Sequence, residues 1–326
     1  MNTHPLVSIL IPVYGVEKYI ERCARSVFEQ TYENLEYIFV DDCSPDNSIA
    51  ILGHVLDSFP HRLSQVRIIK HAQNEGLAAV RNTTINNATG DFVYFLDSDD
   101  YIETDTIAAL VDLQRQTNAD VVTGQKYVNN DEIDSHYIEP VYKNKDEMLM
   151  SILSDVWHHE ITDRLILRSL FVNNCIEVTP HINICEDWLL TAKVVYYADN
   201  CVTADKFTYH YTFNPNSLVH SITEWGKWRD ANKQEHLALQ ELIALFEGTK
   251  YEEAVYSLYL RRLSRSIDMG IIKHDKEFFK QCQYHILSTP SKYQQSLSKA
   301  KLFSIKNGYY MTSFFFYLHQ IKQRLS

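Results

Sequence analysis

The sequence contains no run of eighteen apolar residues, so nothing in it reads as a membrane-spanning helix. It has no C-x-x-C pair. Its cysteines are scattered at positions 23, 43, 175, 185, 201 and 282, and free thiols in a reducing compartment are the simplest account. It lacks a net basic balance: the formal charge is -11, which argues against a nucleic-acid partner. Residues 12–17 hold only one glycine, Gly15, so there is no G-x-G-x-x-G dinucleotide fingerprint. No Gly-rich basic loop of the nucleotidyltransferase kind follows the first strand either. No secretory leader precedes Leu6–Ile11, and a cytoplasmic protein is expected. No internal repeat or low-complexity segment interrupts the chain. What remains is 326 residues with 45% hydrophobic and 22% charged residues, the composition of a globular domain, or of a domain with an appendage.

The most informative stretch runs from Asp91 to Tyr101. Phe92 to Leu96 are apolar or aromatic without a break, the pattern of a parallel strand buried on both faces. The run ends in three carboxylates, Asp97, Asp99 and Asp100. Like charges so close repel and raise one another's pKa unless a cation sits among them. Hard oxygen ligands suit Mg²⁺ or Mn²⁺ shared with substrate phosphates. The bland alternative is an acidic turn that caps a helix.

Upstream, Leu6–Ile11 reads as a strand ended by Pro12, which cannot donate to a ladder. Ile20, Cys23, Ala24, Val27 and Phe28 recur at helical spacing. Tyr37–Val40 is a second strand and also ends in acids, Asp41 and Asp42. Helices over Ser48 onward, Leu77–Asn87 and Thr106–Gln116 alternate with strands at Val66–Ile69 and Ala119–Thr123. That alternation predicts parallel βαβ units, whose strand ends share one rim. Residues 125–147 are polar and read as loop or irregular hairpin, and Leu165–Phe171 as a packing helix or strand. Trp157-His158-His159 reads as surface or packing chemistry before a metal site. Glu186 and Asp187 stand at a helix start, where they cap the helix or serve as a base. Phe207–Tyr211 alternates as a strand, and Trp225 to about Ile272 is mostly helical.

Taken together, Val7-Ser8-Ile9-Leu10-Ile11-Pro12-Val13-Tyr14, Ser26…Gln30-Thr31, Val40-Asp41-Asp42-Cys43-Ser44-Pro45-Asp46, Asn74-Glu75-Gly76…Arg81-Asn82, Leu96-Asp97-Ser98-Asp99-Asp100 and Glu186-Asp187 resemble, in order and spacing, the bacterial family 2 glycosyltransferases. Two positions depart from the pattern: Val80 stands where alanine is common, and Arg164 where a lysine is frequent. The resemblance implies a GT-A fold, an α/β architecture with a Rossmann-like, mostly parallel sheet flanked by helices. It implies inverting transfer of a sugar from a nucleotide-diphosphate donor, a UDP-sugar first, to a glycan or lipid-linked saccharide of a surface polysaccharide. Asp99, with Asp97, would hold Mn²⁺ or Mg²⁺. Pro12, Tyr14, Asp42, Arg81, Asp97 and Ser98 would bind the donor nucleotide, Asp42 accepting from the uracil N3–H. Asp187 would be the general base, with Glu186 beside it. Tyr209, Tyr211 and Trp188 are open to a sugar-stacking or a core role, and His210 and His220 to a core or surface role before a metal one. A catalytically inactive scaffold of a synthase complex is the alternative.

The expected domains are a catalytic domain over 1–220, with a donor half (1–125) and an acceptor half (126–220), a helical appendage over 221–290, and a tail over 291–326. The tail holds six Lys or Arg and no Asp or Glu, together with Phe303, Tyr309, Tyr310 and Phe314–Tyr317. Basic and aromatic residues together suit an anionic bilayer surface, and peripheral contact with the inner membrane face is the expectation. A helix packed on the rest of the protein is the alternative.

Overall fold

The computed structural model describes residues 4–129, 134–137, 140–142, 144–154 and 160–325. They fall into two compact units, the first within Met1–Ile152 and Trp157–Ser221, the second within Leu153–Val156 and Ile222–Ser326. Trp157-His158-His159 lies outside the described residues.

The first unit opens with β1 (Val7–Val13), α1 (Ile20–Phe28), β2 (Leu35–Asp41), α2 (Ser48–Asp57), β3 (Val66–Lys70), α3 (Leu77–Asn87) and β4 (Phe92–Phe95). These strands lie parallel in the order β3-β2-β1-β4. All four residues of β4 are buried, which is why that strand shows no polar alternation. Val27, Phe28 and Cys23 of α1 pack into the same core as Tyr37 and Phe39 of β2. Each such side chain contributes roughly 1.5–3 kcal/mol on burial. Burial also pushes the Cys23 thiol well up, so it is an inert core residue.

Pro12 does not end β1, which continues to Val13 and pairs Pro12 with Val40 of β2. The hydrogen bonds explain the tolerance. Leu6 and Leu10 present their carbonyls to the β4 side, accepting from Asp91 and Leu96. Pro12 faces that side too, but β4 has already ended, so its missing N–H costs no ladder bond.

The unit continues with β5 (Tyr101–Ile102), α4 (Thr106–Thr117), β6 (Val121–Asn129), β7 (Asp134–Tyr137), α5 (Lys145–Leu153), β8 (Arg164–Leu167), α6 (Ser169–Asn173), α7 (Glu186–Tyr197) and β9 (Cys201–Thr212). β8 runs antiparallel to β4 and β6, and β6 runs parallel to β9. β5 and β7 add antiparallel pairs. The sheet is therefore parallel over β3-β2-β1-β4 and mixed overall, rather than mostly parallel. The segment expected as loop or irregular hairpin holds the far half of β6 and its hairpin partner β7. Its polarity hid a strand because Gln125 and Lys126 are buried with partners: Gln125 donates to the Ala204 carbonyl, and Lys126 to Thr162 and Glu160. Leu165–Phe171 divides into both of its expected forms, strand β8 and then helix α6.

The second unit is helical: α8 (Trp225–Phe246), α9 (Glu252–Ile272), α10 (Lys276–Ser288), α11 (Ser291–Gln294), α12 (Lys299–Lys306) and α13 (Tyr309–Leu325). Leu242, Phe246, Leu258, Ile267, Phe279 and Ile286 are fully buried in its core. Asp275 caps α10 by accepting from Phe278 N–H, and Ser298 caps α12 by accepting from Lys301 N–H.

Candidate active site

The β2–α2 turn is built first. Asp46 accepts from the Ser44 and Ser48 hydroxyls and from the backbone N–H groups of Glu17 and Ser48. Burial alone would raise its pKa, but these donors outweigh burial and lower it. Ser44 Oγ also accepts from Gly15 N–H, so the loops after β1 and β2 form one rigid wall. Pro12 and Tyr14 belong to this wall, and Tyr14 is 50% exposed.

Asp41 and Asp42 are equally buried, each 3% exposed, but are held by different partners. Asp42 is buried, and its oxygens accept from His71 Nδ1 at 2.7 Å, Glu75 N–H at 2.9 Å and Gly76 N–H at 2.9 Å. It ties down the loop ahead of α3. Asp41 accepts from Ser44 N–H on one oxygen; its other oxygen lies 3.7 Å from the exposed Lys70 ammonium.

Helix α3 then joins the two halves of the unit. Gly76, at φ +86°, lets the chain turn into it, and a Cβ there would stand 2.5 Å from Asn183 Nδ2. Asn183 itself accepts from Ala78 N–H. Asn82 pairs twice with the Val178 backbone, each bond 2.8 Å. Arg81 is 2% exposed and lies between two acids: Nη2 donates to Asp97 at 3.1 Å, and Nε to Glu186 at 3.1 Å. Its Nη1 is buried without a hydrogen-bond partner. One side chain thus links the carboxyl end of β4 to the first turn of α7, whose Glu186 lies 105 residues beyond Arg81.

Around the acidic turn, Asp97 and Asp99 are half-buried, while Ser98 and Asp100 are buried. Asp100 is consumed structurally: Tyr209 Oη donates to it at 2.5 Å and Thr212 N–H at 2.7 Å. Burial, then repulsion from Asp99 and Asp97, pushes its carboxyl well above the ordinary range. Burial, then Asp97, also raises Asp99, which accepts one bond from Asn214 Nδ2 at 2.9 Å. Arg22 lies 4.2 Å over the Tyr101 ring and donates to Thr212 Oγ1, fastening the end of β9 to the turn. Among the described residues, no third His, Cys, Asp or Glu joins these acids as a metal cluster.

At α7, burial raises both acids, Glu186 against the opposing pull of Arg81. For Asp187, burial and then Glu186 push the carboxyl up to about 8. Of the aromatic candidates, Tyr209 and Trp188 are core residues, 0% and 2% exposed, with no face free for a sugar. Tyr211 is 40% exposed. His210 is stacked on Tyr101 and Tyr127 and bonded to Glu103. His220 bonds the Asn214 carbonyl, on the turn that reaches Asp99. Asn214, Thr212, Arg22 and Asn183 were not singled out from the sequence. Each reaches its partner across 77 to 190 residues of chain, and no local pattern marks it.

Residues 8–171, about half of the chain, match the model of glycosyl transferase family 2. The chain belongs to glycosyl transferase family 2. Similar glycosyltransferases share its length unevenly. Glycosyltransferase GlyA of Streptococcus pneumoniae is 28% identical over 325 residues, covering 93% of this chain and 44% of that protein. The uncharacterized glycosyltransferase EpsJ of Bacillus subtilis is 30% identical over 223 residues, 66% of this chain and 63% of EpsJ. This family 2 chain therefore spans about half the length of such curated relatives. Staphylococcus aureus TarS 1–349, solved with UDP-GlcNAc, superposes with a TM-score of 0.72 at 18% identity, covering 94% of this chain and 88% of that one. A mannosyltransferase from Pyrobaculum calidifontis, solved with GDP-Man and Mn²⁺, gives 0.54 at 16% identity, with 90% and 83% covered. The shared architecture is the GT-A-like α/β fold with a C-terminal helical extension.

Proposed function

We propose that the chain is an inverting glycosyltransferase that moves a sugar from a nucleotide-diphosphate donor, a UDP-sugar first, to a saccharide acceptor of a cell-surface polysaccharide. The observation that carries the reading is the ion-pair chain Asp97–Arg81–Glu186, with Asp99 at one end and Asp187 at the other. It sets a group of half-open acids suited to the leaving diphosphate in one array with a base suited to the acceptor.

Asp97 and Asp99 fit Mn²⁺ or Mg²⁺. They are hard oxygen donors whose mutual repulsion a cation would relieve, and a two-carboxylate set suits an ion that takes its other ligands from phosphate and water. Such an ion supplies charge neutralisation at the departing diphosphate. Arg81, with Nη1 unpartnered, adds a fixed positive charge beside it. Ser98 lies buried between the two acids and shapes the turn. Tyr14 stacks on the base with Pro12 beside it, and the uracil N3–H is read by Asp42, which keeps acceptor capacity beyond the three bonds it makes, with Asp41 beside it. Asp187 takes the proton of the attacking hydroxyl while the C–O bond to the diphosphate breaks, and its raised pKa makes it a stronger base than an ordinary carboxylate. Glu186, held by Arg81, orients the acceptor.

The acceptor is carried on a membrane lipid, and the protein works at the inner face of the plasma membrane. Tyr310, Phe314, Tyr317 and Leu318 are exposed on α13 in a chain end rich in Lys and Arg, which supports contact with an anionic surface. Among the described residues, no helix is long and apolar enough to cross a membrane. Replacing Phe314 and Tyr317 by serine should reduce flotation with phosphatidylglycerol vesicles; unchanged flotation refutes that contact. The central test is nucleotide release from a panel of UDP-, GDP-, dTDP- and CMP-sugars with Mn²⁺. Release from a UDP-sugar that is abolished by EDTA and in D99A is the expected result. Release from a GDP- or dTDP-sugar overturns the donor assignment. A protein that binds no nucleotide in a metal-dependent way returns the reading to a non-catalytic scaffold.

A further inference from the structure

Within the second unit, α9, α12, α13 and the turn before α12 line a half-open cavity of about 550 Å³. We infer that this cavity is a saccharide-binding site, separate in chemistry from the donor and base carboxylates. Its volume lies in the ordinary range for a small-molecule pocket, but its walls are not the mostly apolar walls such pockets have. Thr312, Phe315, Phe316, His319, Gln320 and Gln323 share one face of α13 at helical spacing and line one side. Opposite stand Ser304 and an ion pair, Lys301 with Asp268.

The groups present select the ligand. The ion pair is charge-neutral as a unit, so the cavity offers no net cation to a phosphate. Both members are partly exposed and keep capacity, the ammonium for further donation and the carboxylate for further acceptance. Ser304 and Thr312 are buried and give their hydroxyl protons to the Lys301 and Gly308 carbonyls, so they form the floor of the pocket and the ligand-facing groups are the ion pair and the exposed face of α13. Gln320 adds an amide that both donates and accepts. Phe315, 38% exposed, adds a flat apolar ring. Interleaved donors and acceptors beside one aromatic face match a neutral sugar, which carries many hydroxyls and an apolar C–H face. They do not match an anion or a purely apolar ligand.

The test is calorimetric titration of the full chain with maltotriose, cellotriose and triacetylchitotriose, and with inorganic phosphate. Ala300 is exposed at the cavity rim, so A300W fills the space from outside without disturbing the core. The expected result is binding of at least one trisaccharide, lost in A300W and weakened several-fold in Q320A, with melting temperature and donor hydrolysis unchanged in both variants. Absence of trisaccharide binding overturns the inference. So does binding that A300W leaves intact, or binding of phosphate alone. Donor hydrolysis is read separately, so failure here is distinguishable from failure of the catalytic proposal.

Discussion

Arg81→Met isolates the ion-pair chain. Met keeps much of the side chain's volume and removes only the guanidinium. Glu186 is then a buried acid with no counter-charge, and Asp97 loses its partner. Removing one member of a buried pair costs about 3–5 kcal/mol, because the other is left uncompensated. For a unit of this size that corresponds to a fall of about 6 to 20 °C in melting temperature. The loss should depend on pH. The folded-state pKa of Glu186 already lies above its ordinary value, so its penalty on the fold is absent below that value and grows as pH rises. Without Arg81 the pKa rises further, and the gap between wild type and variant should widen from pH 5 to pH 8. Thermal melts across that range provide the assay. Pairing R81M with E186L should recover most of the stability, because both charges are gone, but none of the donor turnover. A pH-independent loss, or one under about 1 kcal/mol at pH 8, would show that the bridge is not a buried pair and would refute the reasoning.

D187N should lower kcat by about 10²–10⁴-fold. Wild-type kcat/KM should rise with pH towards about 8 as the base ionises, and the variant should lose that limb. Because the folded-state pKa of Asp187 is raised, its ionisation weakens the fold above the ordinary carboxylate pKa. D187N should therefore melt higher than wild type at pH 8 and equally at pH 4; equal melts at pH 8 would contradict the shift. Y209F removes a buried donor to Asp100 and should cost about 1–3 kcal/mol while weakening Mn²⁺-dependent nucleotide binding. Unchanged melting and binding would remove Asp100 from the scaffold of the turn. G76A forces a Cβ into left-handed backbone against Asn183 and should lower both stability and turnover, because Asn183 belongs to the segment leading into α7. Full activity in G76A would show that α7 is positioned independently of the loop ahead of α3.

Local sequence determined the βαβ half of the first unit. Unbroken apolar runs such as Phe92–Leu96, too short for a helix, read as strands buried on both faces, and Leu77–Asn87 has the length of a helix. It also put the acids at strand ends, because a carboxylate following such a run must emerge at the sheet's rim. Tertiary structure decided what each acid is bonded to. Asp42 and Asp100 look no different in sequence from Asp41 and Asp99, yet each is held by donors that arrive from other elements, His71 and Gly76 for one, Tyr209 and Thr212 for the other. The polar strand β6 was obscured for a related reason: burial of Gln125 and Lys126 depends on partners more than thirty residues away. The Asp97–Arg81–Glu186 chain exists only once the Arg81 side chain of α3 reaches the first turn of α7. A hydrogen bond is specified by position in space, and one-dimensional spacing records that position only when both partners sit on the same element.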